Sequence, residues 1–175
     1  SNSLYLLSAL HAALIRQGGR YVPNARVETI APAANEFTVR TGSQTLRAAK
    51  LVLAAGLGIP ALAPSIGLAV PMRPQRGQNL ITERLEQRLP LPIQGGIRQT
   101  REGGFQLGAT REYVGFDDRT TTRGIGHIAR FAVDCFPYLS GVKVVRAWSA
   151  LRVMPSDTYP IYDQSADYPG AFVAT

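Results

Sequence analysis

The chain has 175 residues, enough for one large domain or two small ones, and 45% apolar with 18% charged residues is ordinary for a protein with a real core, which excludes global disorder. The formal charge of +7 is carried by arginines apart from Lys50 and Lys143. They are scattered from Arg16 onward, not gathered with aromatics into a patch, so a solvated basic surface is expected and no nucleic-acid partner. Cys135 is alone, which excludes a disulfide framework and a zinc spacing; no metal is expected. It ends an apolar helical pattern and is expected to be a buried small hydrophobe. No apolar run approaches the roughly 20 residues of a membrane span. No secretory signal stands at the start, where Ser1-Asn2 reads as a cloning scar, and a cytoplasmic location is the expectation.

In chain order, residues 3–17 have helical period, with Leu6, Leu10 and Leu14 on one face and Leu7 beside them; Gly18-Gly19 stop the helix. Short strands are predicted at RYV (20–22), ARVETIA (25–31), EFTVRT (36–41) and TLRAA (45–49), with turns at Asn35 and at Thr41-Gly42-Ser43. KLVLAAG (50–56) is a continuous apolar run ending in glycine, the pattern of a strand buried on both faces of a parallel sheet. After prolines 60, 64, 71 and 74, RGQNLITE (76–83) and IRQTREGGFQLGAT (97–110) read as long strands, the second folded at Glu102-Gly103-Gly104. A helix is predicted over roughly 120–136, with Ile125, Ile128, Ala129, Ala132, Val133 and Phe136 on one face and Pro137 at its end. VKVVRAWSALRVM (142–154) is strand, then PIYD (160–163) and GAFVAT (170–175). The fold class is α/β or α+β, with a large mixed β-sheet and helices. The chain starts on a helix and stops on an apolar strand, as a piece cut from a longer protein would.

GLGIPA (56–61) fits G-x-G-x-x-A and follows an apolar run. A dinucleotide fingerprint also needs a helix whose N-terminal amides hold a pyrophosphate, and a second strand ending in an acid. Pro64 cuts that helix short, and no crossover helix precedes Glu83. A strand-end turn is the simpler reading, though a turn glycine still lets a backbone approach a cofactor closely.

WSALRVMPSDTYPIY (148–162) is mostly apolar yet contains Arg152. A buried arginine must be paired. Either Arg152 pairs with Asp157 or a backbone carbonyl inside the core, or its planar fork faces a cavity, ready to clamp a carboxylate. Arg146 shares its strand face, because their separation is even. Arg98 and Arg111 fall on the two arms of the preceding hairpin.

Six landmarks stand in one order: LVLAAG (51–56), VPMRPQRGQ (70–78), GGFQLGATREYVGFD (103–117), FPYL (136–139), WSALRVMPSDTYPIY (148–162) and PGAFVAT (169–175). On these the chain resembles, over essentially its whole length, the D-amino acid oxidase-like family of FAD-dependent oxidoreductases, which includes glycine oxidase, sarcosine oxidase and D-amino acid dehydrogenases. In finer style it is similar to opine, hydroxyproline or hydrogen-cyanide-forming dehydrogenase subunits, which would bring partner subunits of a dehydrogenase complex. The resemblance implies that Arg152, matching the arginine of the family's W-x-G-L-R-P element, binds the substrate carboxylate. It implies Arg98, Gln99 and Arg111 as pocket candidates on the GGFQLGAT hairpin, and Tyr113 as a stand-in for tyrosines that cover the carboxylate. For FAD it implies Val27, from the R-V-x-x-I element, and Ala55 and Gly56 at the A-x-G strand end. The departures are Ala150 for the family's glycine, Val153 for its proline, and Asp157-Thr158-Tyr159-Pro160 for D-G-x-P.

The implied organisation is a remnant of a Rossmann-like FAD-binding domain over 1–69, a substrate-binding domain over 70–160, and a return to the FAD domain over 161–175. The family's G-x-G-x-x-G unit and its C-terminal glycine-bearing helix lie outside these residues, so the fragment alone is expected to hold little or no FAD and to be inactive. The implied reaction is oxidation of an amino acid or other amine bearing a carboxylate. Hydride leaves Cα for the flavin, and the resulting imine is hydrolysed; the flavin carries this chemistry while the protein orients. No side-chain base is required of His11 or His127, which are expected at the surface. Two other classes remain: a non-catalytic amino-acid-binding module of the same fold, and an anion or nucleic-acid binder driven by the +7 charge.

Overall fold

The computed structural model describes residues 3–86, 89 and 95–175; Ser1-Asn2, noted above, lie outside it. Helix α1 (Ser3–Arg16) ends at Gly18, whose φ of 79° is open to glycine at no steric cost. β1 (Val27–Pro32), β2 (Phe37–Thr41) and β3 (Thr45–Ala48) form an antiparallel sheet in that order. The Thr41 side chain closes its second turn by accepting from Gln44 N at 3.2 Å. Residues 20–22 are not a strand. They are irregular chain, and Arg20 reaches Gln44 Oε1 at 3.3 Å instead.

β4 (Leu51–Leu53) pairs in parallel with β10 (Ala171–Ala174), and β9 (Tyr162–Gln164) closes that sheet antiparallel. After β4 come a 3₁₀ turn (Gly56–Gly58), the four-residue helix α2 (Ile59–Leu62) and a second 3₁₀ turn (Ala63–Ile66). The prolines of this stretch sit in the first turns of these pieces, where a missing N–H is tolerated, and keep each short. The third sheet is antiparallel, in the order β6 (Ile97–Gln99), β7 (Gly104–Gly108), β5 (Met72–Arg84), β8 (Val144–Pro155). Gly103, at φ 104°, makes the β6–β7 turn. The α/β character expected is borne out, with the strands distributed over three sheets.

Two apolar clusters hold these pieces. Ile30, Phe37, Leu53, Ile59, Ile66 and Val173 pack β1, β2, β4 and β10 around the short helices. Leu80, Phe105, Leu107, Ile128, Ala132 and Leu139 pack helix α3 (Thr122–Cys135) onto one face of the β5 sheet. α3 begins where the Thr121 hydroxyl accepts from Gly124 N at 3.1 Å. Its predicted apolar face is the one that packs, but Cys135, the last residue of α3, is exposed, not buried. The α1 stripe is also unlike a core: no residue of α1 is buried, and none belongs to either apolar cluster. Val52 of β4 is exposed, so that strand is buried on one face only.

Candidate active site

The period of two splits β5 into two faces. Arg76, Gln78, Leu80 and Thr82 point toward the α3 side and are buried. Gln75, Gly77, Asn79 and Ile81 point the other way, opposite Arg152, Ala150, Trp148 and Arg146 of β8 in register. At one end of this second face the first residues of α1, Ser3, Leu4 and Tyr5, line a cleft with Ile81, Arg146 and Trp148, and the face brings Arg152 and Arg146 to one side as their spacing predicts.

Arg152 is half-buried and pairs with no carboxylate among the described residues. Its Nη1 donates to Thr110 O at 3.0 Å and to Gln75 Oε1 at 3.3 Å. Asp157 is occupied elsewhere, accepting from Tyr159 N at 3.0 Å. To reach Thr110 the guanidinium crosses β5 directly above Gly77: a Cβ at Gly77 would stand 2.6 Å from Cζ and from Nη1. One corner of the fork is tied, and Nε and Nη2 have no partner among the described residues. That is the edge a carboxylate takes with two parallel hydrogen bonds. Beside it Gly77 and Ala150 keep the sheet floor low.

The arginine that is deeply buried and ion-paired is Arg76, only 4% exposed. Its Nη2 donates to Glu112 Oε2 at 2.7 Å and its Nη1 to Asp117 Oδ2 at 3.0 Å and Arg119 O at 3.1 Å. Glu112 also accepts from Gln78 Nε2 at 2.7 Å and from the Thr110 hydroxyl. The bond from Arg76 chiefly holds the Glu112 carboxyl down at about 2 from its ordinary 4.5, with Thr110 and Gln78 adding and burial opposing. Asp117 is likewise held far below the usual carboxylate range, first by the Arg119 side chain. Gln78, wholly buried, ties this group to α3 by accepting from Thr121 N at 2.7 Å.

The remaining candidates fall in two places. Arg98 and Gln99 lie at the far end of the open face, lining a cleft of about 1130 Å³ with Arg84, Ile81, Arg146 and Trp148. Arg98, Gln106, Ile81 and Arg146 form one cross-strand row there, three rows from Arg152, or roughly 20 Å along the strands. Arg98 donates to Gln106, and Gln99 donates to Gly103 O at 3.0 Å and accepts from Leu89 N at 2.9 Å. Arg111 is exposed beyond β7, next to Thr110. Tyr113 is exposed and stacks under the Arg73 guanidinium at 4.2 Å. His11 and His127 are exposed.

For the FAD that the resemblance implies, the fit is partial. β4 and β10 are parallel, and beyond the C-terminal end of β4 stand the small, exposed Ala54 and Ala55 and then Gly56 at φ 55°. Ligands of open α/β sheets bind in such crevices. A Cβ on Gly56 would lie 3.5 Å from Val153 Cγ2, so this strand end meets the residue that follows Arg152. Val27 opens β1, opposite Thr41 and beside a bulge, and packs on the first core. The turn after β4 does not fit a pyrophosphate: with α2 four residues long, GLGIPA is the strand-end turn.

Gln75, Gly77, Thr110 and Glu112 were not singled out from sequence. Gly77 carried a usable signal, since glycine inside a long strand marks a close approach to its backbone. The others are ordinary polar residues whose partners are distant in sequence.

Comparison with known proteins gives the family and the fold. The sequence profile of the FAD dependent oxidoreductase family matches residues 1–175. An opine oxidase subunit of Agrobacterium tumefaciens (strain Ach5) is 40% identical over 172 residues, 98% of this chain and 46% of the relative. The opine oxidase subunit of the same name from Rhizobium meliloti is 38% identical over 173 residues, 99% of this chain and 46% of the relative. The crystal structure of glycine oxidase from Geobacillus kaustophilus shares the fold, with a TM-score of 0.83 at 23% identity over 95% of this chain and 46% of that one. The chain thus spans about half the length of the relatives it matches. With the profile matched from end to end, the chain belongs to the D-amino acid oxidase type of FAD-dependent oxidoreductases.

Proposed function

We propose that this chain supplies the substrate-facing part of an enzyme that oxidises an amino acid or another amine bearing a carboxylate, with Arg152 as the carboxylate anchor. The observation that carries the reading is the half-tied fork of Arg152 over Gly77, with Nη1 held by Thr110 and Gln75 and no acid beside it. Two relatives named as opine oxidase subunits and a structural neighbour named glycine oxidase support the substrate class, and the word subunit supports a partner chain. The reading assigns residues 70–160 to the substrate domain and 1–69 with 161–175 to the FAD domain. The two apolar clusters support this division, although Val70 and Met72 pack with the first cluster.

Arg152 binds the carboxylate through Nε and Nη2, fixing one end of the substrate. Gly77 lets the guanidinium lie low on the sheet, and Ala150, opposite it in register, leaves room beside the fork for the amine-bearing carbon. Val27, Ala55 and Gly56 hold the cofactor, and bound FAD supplies the two-electron acceptor. Holding reactants in contact geometry is worth on the order of 7–11 kcal/mol of barrier.

The test is steady-state kinetics of Arg152→Lys in the protein as encoded. Lysine keeps the charge and loses the planar fork. KM for an amine carboxylate should rise about 10- to 100-fold, the loss expected of hydrogen bonds to a charged group. The same amine without its carboxylate, if turned over, should be insensitive. An unchanged KM for the carboxylate substrate would refute the anchor.

A further inference from the structure

We propose that Glu112 is a positioning residue for Arg152, acting through Thr110. This rests on the anchor role given to Arg152 above. Thr110 is the link because its carbonyl accepts from Arg152 Nη1 at 3.0 Å while its hydroxyl is held from both sides. The hydroxyl donates to Glu112 Oε1 and accepts from Gln78 N at 3.0 Å.

Glu112 is in turn fixed at backbone and side chain. Arg76 N donates to Glu112 O at 2.8 Å and Glu112 N to Arg76 O at 3.0 Å, an isolated bridge that carries the pairing of this segment along β5 beyond the end of β7. Its carboxylate takes Arg76 Nη2 and Gln78 Nε2 at 2.7 Å each. Neither arginine nor glutamine is needed there for stability, since apolar side chains of similar volume serve a core at least as well as a buried ion pair. A polar group of this kind is best suited to fixing one geometry, because a shift of the segment breaks several bonds together. The geometry it fixes is the height and direction of the Thr110 carbonyl. That carbonyl sets the rotation of the guanidinium above Gly77, and so the direction in which Nε and Nη2 point.

The experiment uses the flavin-loaded protein as encoded, with Glu112→Gln, Thr110→Val and Thr110→Ser, each alone and combined with Arg152→Lys. The readouts are kcat and KM for an amine carboxylate and the inhibition constant of acetate as a competing carboxylate. Glu112→Gln and Thr110→Val should each raise KM and the acetate constant on the order of 10-fold while kcat stays within about twofold, the signature of lost ground-state binding. Thr110→Ser, which keeps the hydroxyl, should restore wild-type values. In the Arg152→Lys background Glu112→Gln and Thr110→Val should add nothing further, because the fork they orient is gone. If Glu112→Gln does not fold, Thr110→Val decides by the same criteria. Effects that persist undiminished in the Arg152→Lys background would overturn the positioning role, since they would then be general destabilisation. If Arg152→Lys raises KM and Glu112→Gln and Thr110→Val do not, the positioning role alone fails. If Arg152→Lys itself changes nothing, the anchor reading fails and takes the positioning role with it.

Discussion

Gly77 and Thr158 show how much a single backbone position matters around Arg152. A Cβ at Gly77 meets only the far end of the Arg152 side chain, which is flexible, so Gly77→Ala should fold with little change in stability. The guanidinium must swing aside, however. KM for a carboxylate substrate should rise on the order of 10-fold or more, since misplacement by about 1 Å is costly in an oriented site. Kinetics beside a urea titration checks this: a large loss of stability with unchanged KM would contradict it. Thr158 keeps φ at 68°, a conformation a β-branched residue adopts only under strain. Asp157 Oδ1, accepting from Tyr159 N, braces that turn.

At the scale of elements, the segment from Thr110 to Thr121 is a strap joining β7 to α3. It is held by Arg76, Gln78, Glu112, Asp117 and Arg119, with Ser149 of β8 donating to Asp118 O. Among the described residues the charged side chain that faces Glu112 is Arg76. Because folding lowers the Glu112 pKa from 4.5 to about 2, its stabilising contribution is complete above pH 4.5 and is lost as pH falls through about 2. Thermal midpoints measured between pH 5 and pH 2 should therefore fall less steeply in Glu112→Gln than in the parent. Asp117, depressed further still, should leave both with a residual slope at the acid end. Equal slopes over that window would show that Glu112 is not the coupled group. α3 was legible almost to its ends, because a 3.6-residue apolar period and a proline stop are local signals. The strap was not, because nothing in its own sequence says that Glu112 meets Arg76 across 36 positions.

For the whole molecule, α1 is the outlying feature. Leu4, Tyr5, Leu6, Leu7, Leu10, Leu14 and Ile15 are each at least 44% exposed and lie along one helix. Contiguous apolar surface of this kind drives association. The 175-residue chain alone should exceed 18.9 kDa by light scattering and bind a hydrophobic dye, and Leu6→Glu with Leu10→Glu should reduce both. A dye-silent monomer of the unchanged chain would sink this expectation. The sequence by itself determined the family, the α/β class, most element positions and the choice of Arg152, because repeat periods, turn residues and ordered motifs are read along the chain. Only the tertiary structure decided that Arg76, not Arg152, is the paired buried arginine, that Cys135 faces solvent, and that Gly77 makes room for the Arg152 fork. It also separated Arg98 from Arg152 by the length of the open face. Each of these depends on which strands become neighbours and in what register, and a one-residue shift in pairing would send every side chain of β5 to the opposite face.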